Sequence, residues 1–280
     1  MTRQRTLQQI ERYAHHLLLE EKSAATIEKY LRDVRAFACW LDGREISKEV
    51  TSEWKSHLIT QGYAPATINA MLSALNSLLE YLGLQECRVK FLKIQRRLFR
   101  DAGRELTRAE YDRLLSSAKQ LGKQRLALLA ETICATGIRV SEVRNITVEA
   151  ARQGKAEIAL KGKIRIILLP EKLCRKLQKY AKKQKIASGA IFRTKGGKEL
   201  NRQQIWAELK GLCKYADVEP EKVFPHNLRH LFATIFYQAC RDIAKLADLL
   251  GHSSIETTRI YLVTSGAEHQ RELERLGLVS

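Results

Sequence analysis

Apolar side chains recur three and four residues apart through most of this chain, and that period predicts helices. Across residues 7–20 they fall at Leu7, Ile10, Ala14 and Leu17-Leu18, the spacing of one helical face. Ser23 offers a side-chain cap to a second helix reaching Leu41, whose Ile27, Tyr30-Leu31, Val34 and Phe37-Ala38 form a single stripe. A third helix is predicted from Ser47 to about Thr60, and a fourth from Pro65, a favoured first-turn residue, to just before Gly83. Four helices joined by short connections predict a compact bundle.

The pattern weakens between Gly83 and Arg104 and resumes at Thr107-x-x-Glu110, a capping-box spacing that starts a second domain near Glu105. Helices are predicted over 107–120 and 123–135, then a turn at Gly137 and a helix from about Val140. The period then falls to two. Residues 156–160 and 164–169 alternate and are rich in β-branched side chains, and Lys161-Gly162-Lys163 joins them, so a hairpin is predicted. After Pro170 helices resume over 171–185, 201–215, 226–238, 242–250 and 254–262. The expected fold is mainly α: an N-terminal four-helix domain over 1–90, a basic linker over 91–104, and a C-terminal helical domain over 105–280 with a small antiparallel β-sheet.

Charge narrows the partner. The 280 residues include 49 Lys plus Arg against 31 Asp plus Glu, a net charge of +18. A folded polycation of this kind meets nucleic acid more often than an anionic membrane. Residues 105–280 carry 32 basic and 19 acidic side chains, so most of the excess lies in the second domain. The linker adds Arg96, Arg97 and Arg100, read here as contacts to DNA phosphates, with a solvated charged face as the alternative. No stretch approaches transmembrane length and the N-terminus lacks an apolar leader, which predicts a cytoplasmic protein with access to the chromosome. Six cysteines without a C-x-x-C pair are expected as buried thiols in a reducing compartment, with no zinc site and no disulfide frame.

Three short motifs carry the candidate chemistry. Thr136-Gly137-Ile138-Arg139 puts a guanidinium after a tight turn, with Glu142 three residues on to brace it. His226 and Arg229, three apart behind Pro225, share a helix face and suit a phosphate: the arginine binds two oxygens and the imidazole takes or shares a proton. Leu250-Gly251 is a helix stop, His252 follows it, and Ser253-x-x-Glu256 caps a short helix that presents Tyr261. A tyrosine becomes a nucleophile near neutral pH when a base or adjacent cations help remove its proton.

Taken in order, Thr136-Gly137-Ile138-Arg139-x-Ser141-Glu142, a hairpin lysine, His226-x-x-Arg229-His230, Leu250-Gly251-His252 and Tyr261 resemble the tyrosine recombinase (phage integrase) family. Ser23-Ala24-Ala25-Thr26-Ile27 with Tyr30 and Asp33, and Tyr63-Ala64-Pro65-Ala66-Thr67-Ile68, are similar to the SAM-like core-binding domain that precedes the catalytic one. The resemblance implies that Arg139 and Arg229 clamp the scissile phosphate and that Tyr261 attacks it, forming a 3′-phosphotyrosyl bond and freeing a 5′-hydroxyl. It implies Lys161 as general acid, with Lys163 as an alternative or a DNA contact. His226 becomes an acid–base partner of the tyrosine and His252 a hydrogen-bond donor to the phosphate; His230, by its place on a different helix face, is expected as a packed or capping histidine.

The bond energy stays in the protein link, so the resemblance implies no ATP, no other cofactor and no catalytic metal. The partner implied is a double-stranded DNA recombination site, held by a homo-tetramer through a Holliday junction. Residues 266–280, with Leu273, Leu276 and Leu278 at helical spacing, are expected to pack on a neighbouring protomer or on their own domain. The chain opens directly on the core-binding helices, which suggests a simple recombinase without an arm-site domain. Related outcomes of the same residue set are DNA relaxation of the type IB topoisomerase kind and a non-catalytic DNA-binding protein.

Overall fold

A computed structural model of the chain describes residues 3–94, 102–160, 163–194, 196–252, 254–259, 261 and 274–275. It divides into two units, Met1–Arg96 and Arg97–Ser280.

The first unit holds α1 (Arg3–Leu19), α2 (Ala24–Leu41), α3 (Lys48–Thr60) and α4 (Pro65–Tyr81). Their starts follow the local chemistry: the Ser23 hydroxyl accepts from Thr26 N–H, the Ser47 hydroxyl from Val50 N–H, and Pro65 opens α4. α4 is the most thoroughly buried of the four, and Leu72, Leu75 and Leu79 meet Phe37 of α2 with Trp54 and Leu58 of α3 in the larger core cluster. Tyr13 and Leu17 of α1 close a second cluster with Val34 and Leu78.

Beyond α4, where hydropathy shows no pattern, side-chain amides fix the chain. Asn76 exchanges two hydrogen bonds with the Val89 backbone, each 2.9 Å, and Asn69 does the same with Leu92 at 2.8 and 2.9 Å. The chain as far as Leu92 is therefore tied to the bundle. Arg96, Arg97 and Arg100 lie outside the described residues.

The second unit begins with α5 (Arg108–Gln120), whose Thr107–Glu110 capping box forms as expected, and α6 (Gln124–Thr136), whose Leu126, Leu129 and Ile133 are fully buried. The helix expected from Val140 is instead a 3-10 helix over Val140–Asn145. Three residues per turn stack Glu142 directly over Arg139, which lets one carboxylate serve both the backbone and the side chain of that arginine. A short helix that the sequence did not announce, α7 (Val148–Gln153), leads into the hairpin of β1 (Lys155–Leu160) and β2 (Lys163–Leu168). The strands pair antiparallel from Lys155↔Leu168 to Leu160↔Lys163.

α8 (Glu171–Lys183) follows. The helix expected over 201–215 breaks at Gly211 into α9 (Arg202–Lys210) and α10 (Cys213–Ala216). The last three, α11 (Pro225–Cys240), α12 (Ile243–Leu250) and α13 (Ile255–Arg259), carry most of the site. The expected cap residue Ser253 and the leucines of the tail lie outside the described residues; Glu256 N–H instead donates to the Ser254 hydroxyl at 3.2 Å. All six cysteines are free, and Cys39 and Cys240 are exposed rather than buried, since each sits on the solvent face of its helix. Among the described residues no helix is long and apolar enough to cross a membrane.

Candidate active site

α6 stops at Gly137, whose φ of +62° is left-handed and whose Cα lies so close to Phe232 and Leu250 that a β-carbon would overlap both. That approach joins the end of α6 to α11 and α12. Arg139 follows with an extended backbone and a partly exposed side chain. Its Nη1 donates to Glu142 at 3.0 Å, and its backbone N–H donates to the second carboxylate oxygen at 3.0 Å. Glu142 is 2% exposed, so its charge needs cationic partners.

The first turn of α11 supplies His226 and Arg229 on one face. His226 is exposed, whereas Arg229 is only 2% exposed. Partial desolvation, then Arg229, Arg202 and Arg139, lower the pKa of His226 below its usual 6.5. Arg229 donates to the Gly137 carbonyl and, through Nη2, to the Leu250 carbonyl at 2.8 Å.

The end of α12 is held by three arginines on three consecutive carbonyls. Leu249 O accepts from Arg165 at 2.7 Å, Leu250 O from Arg229 at 2.8 Å, and Gly251 O from Arg139 at 3.3 Å. A helix C-terminus leaves its last carbonyls without intrahelical donors and carries partial negative charge, so it draws cations together that would otherwise repel. Arg139, Arg165 and Arg229 thus converge beside one carboxylate, and the surplus positive charge suits a phosphodiester.

His252 lies at the centre of this group. Its Nε2 is 3.0 Å from Arg229 Nη2 and its Nδ1 is 2.9 Å from Thr258 Oγ1. Burial, followed by the arginines Arg229, Arg139 and Arg165, pushes its pKa down to about 4. Tyr261 is 3% exposed and stacks on His252, with ring centroids 5.9 Å apart and planes 12° apart. The His226 ring is 6.3 Å from that of Tyr261, and His230 meets it edge-on at 5.0 Å. Tyr261 thus packs against the histidine whose Nε2 meets Arg229. The nucleophile candidate therefore sits within its own chain's cation cluster.

Of the residues singled out by sequence, Arg139, Glu142, His226, Arg229, His252 and Tyr261 come together here. Lys161 lies outside the described residues; Lys163 begins β2, paired with Leu160. His252 differs from expectation in one respect. With its Nε2 accepting from Arg229 and its Nδ1 donating to Thr258, it has no proton free for a phosphate. Sequence reasoning passed over Arg165 and Thr258. Both are polar residues on elements that otherwise read as apolar or surface, and an arginine on the inward register of a strand was the available signal.

Residues 104–267 match the phage integrase family, and residues 10–86 match the phage integrase N-terminal SAM-like domain. The tyrosine recombinase XerA of Thermococcus kodakarensis is 31% identical over 274 residues, covering 95% of this chain and 93% of that protein. This chain belongs to the phage integrase family. It is a tyrosine recombinase, and the tyrosine recombinase XerD of Vibrio cholerae serotype O1 is 28% identical over 255 residues, 84% of each. A lambda integrase tetramer bound to a Holliday junction shares the fold at a TM-score of 0.69 and 18% identity, over 91% of this chain and 76% of that one.

Proposed function

We propose that this site-specific recombinase cuts and rejoins DNA with the residues gathered around Tyr261. Arg139 and Arg229 bind the non-bridging oxygens of the scissile phosphate, where charge builds in the pentacoordinate state. The Tyr261 oxygen attacks phosphorus as His226 takes its proton; the bond from phosphorus to the 5′ oxygen breaks, and Lys161 supplies a proton to the leaving oxygen. A 5′-hydroxyl from a partner strand then attacks the phosphotyrosyl link and restores the tyrosine, so the exchange needs no external energy. Bound phosphate opposes the arginines and favours protonation of His252, which then donates from Nε2.

The DNA partner is a double-stranded recombination site. Residues 1–90 serve as its core-binding domain, residues 91–104 as a basic linker along the backbone, and residues 105–280 as the catalytic domain, whose Lys163 also contacts DNA. A homo-tetramer on two duplexes, with the tail from residue 266 packing on a neighbour, and a cytoplasmic location complete the proposal. The observation that carries it is the stacking of Tyr261 on His252, whose Nε2 lies 3.0 Å from Arg229 in the same chain.

Nicked suicide duplexes drawn from the DNA on either side of the gene test it. The full chain is expected to give a covalent adduct on at least one duplex, lost in Tyr261→Phe. An adduct that persists in that variant, or none on any authentic site, would overturn it.

A further inference from the structure

Arg165 is the third arginine of the site and, like Arg229, is turned away from solvent. Along β2 the inward positions are Arg165 and Ile167, while Ile164, Ile166 and Leu168 are 75%, 52% and 64% exposed. A strand that turns a charge inward and three large aliphatic groups outward holds that charge for a reason other than hydropathy. The side chain of Arg165 is 13% exposed.

Its contacts reach two parts of the site at once. Nη1 lies 3.4 and 3.2 Å from the two Glu142 oxygens, the same carboxylate that holds Arg139. Nη2 donates to Leu249 O at 2.7 Å. The guanidinium passes beneath Gly251, whose φ is +61° and where a β-carbon would stand 2.6 Å from Arg165 Nε. That Nε is buried and without a hydrogen-bond partner. Leaving a donor unpaired in the interior costs free energy, so the geometry is set by the two contacts on Nη1 and Nη2.

We infer that Arg165 is a positioning residue for recombination, fixing Arg139 through Glu142 and the His252 turn through the Leu249 carbonyl. Because it lies on β2 shortly after residues 161–162, it also ties the hairpin to both arginine and histidine. Only a fork can do this: a lysine in its place keeps the charge but reaches one partner, not both. The inference rests on the assignment of Arg139 to the scissile phosphate.

The test is single-turnover cleavage of a nicked suicide duplex by the full chain, with DNA affinity measured in parallel. Arg165→Lys is expected to slow cleavage about tenfold or more, because small displacements of a clamp are costly. Its affinity should stay within about threefold of the parent, since many phosphate contacts carry binding. Because it acts through Arg139, the double variant with Arg139→Lys should be no more than about threefold slower than Arg139→Lys by itself. Glu142→Asp, which shortens the shared carboxylate, should show the same non-additivity and serves if Arg165→Lys does not fold. Cleavage at the parent rate in both variants, or a double variant slowed by the product of the single effects, would overturn the role of Arg165. Arg139→Lys cleaving normally would instead overturn the assignment of Arg139.

Discussion

His252 Nε2 stands 3.0 Å from Nη2 of Arg229, and this one contact fixes the proton on the ring. A guanidinium has donors only, so Nε2 must accept and the single proton of the neutral imidazole sits on Nδ1, where Thr258 Oγ1 receives it at 2.9 Å. Thr258 is fully buried, and its hydroxyl links the last turn of α13 to the turn after α12. The histidine is thereby both a brace for Arg229 and a flat support for the Tyr261 ring.

Replacing Thr258 by valine keeps the shape and removes the acceptor. The Nδ1–H is then left in a largely dry site, which should cost about 1–3 kcal/mol. Urea unfolding measures the loss, and the nitrogen chemical shifts of His252 should move away from the pure Nδ1–H form. Unchanged stability and shifts would contradict the tautomer assigned here.

The lowered pKa of His252 makes stability depend on pH in a definite direction. In the unfolded chain the ring takes a proton near its ordinary 6.5, but in the fold it stays neutral down to about 4. The unfolded state therefore binds more protons between those values, so this contribution is complete above about pH 6.5 and is lost as pH falls towards 4. His226, whose pKa is also lowered, acts in the same sense. Urea midpoints between pH 7 and 4.5 should fall less steeply in His252→Gln than in the parent; equal slopes would count against it.

Gly251 and Gly154 both adopt left-handed φ, at +61° and +74°, yet only one has a crowded neighbourhood. Alanine at Gly154 meets open space and should cost only the conformational penalty, about 1 kcal/mol. At Gly251 it also meets Arg165, so the loss should be at least about twice that, accompanied by slower cleavage. Thermal unfolding of the two variants side by side gives the comparison, and equal melting temperatures would refute it.

Asn76 holds both polar groups of Val89 in a buried position. Alanine there leaves an N–H and a C=O unpaired, and the expected loss is about 2 kcal/mol or more. Asn69, half-buried with the same pairing to Leu92, should lose less when changed to alanine. Denaturant unfolding followed by tryptophan fluorescence reads this directly, because Trp40 and Trp54 lie in the first unit. The opposite ranking would show that the amides do not anchor this segment.

The local sequence determined what depends on local chemistry. Helical period, the caps at Ser23, Ser47 and Thr107, the stops at Gly137 and Gly251, and the hairpin around residues 161–162 all follow from neighbours within a few residues, and the structure carries them. Motif order likewise brought Arg139, His226, Arg229, His252 and Tyr261 into one list before any contact was visible. Tertiary structure decided the rest, since those choices depend on partners distant in the chain. Hydropathy would turn Ile164 and Ile166 inward, but the carboxylate of Glu142 and the bare carbonyl of Leu249 wait on the inner side, so β2 turns Arg165 to them. The 3-10 winding at Val140–Asn145 was hidden in the same way, because it serves a carboxylate shared by two arginines. The tautomer of His252 follows from an arginine 23 residues earlier, and no pattern along the chain encodes which of its nitrogens faces that arginine.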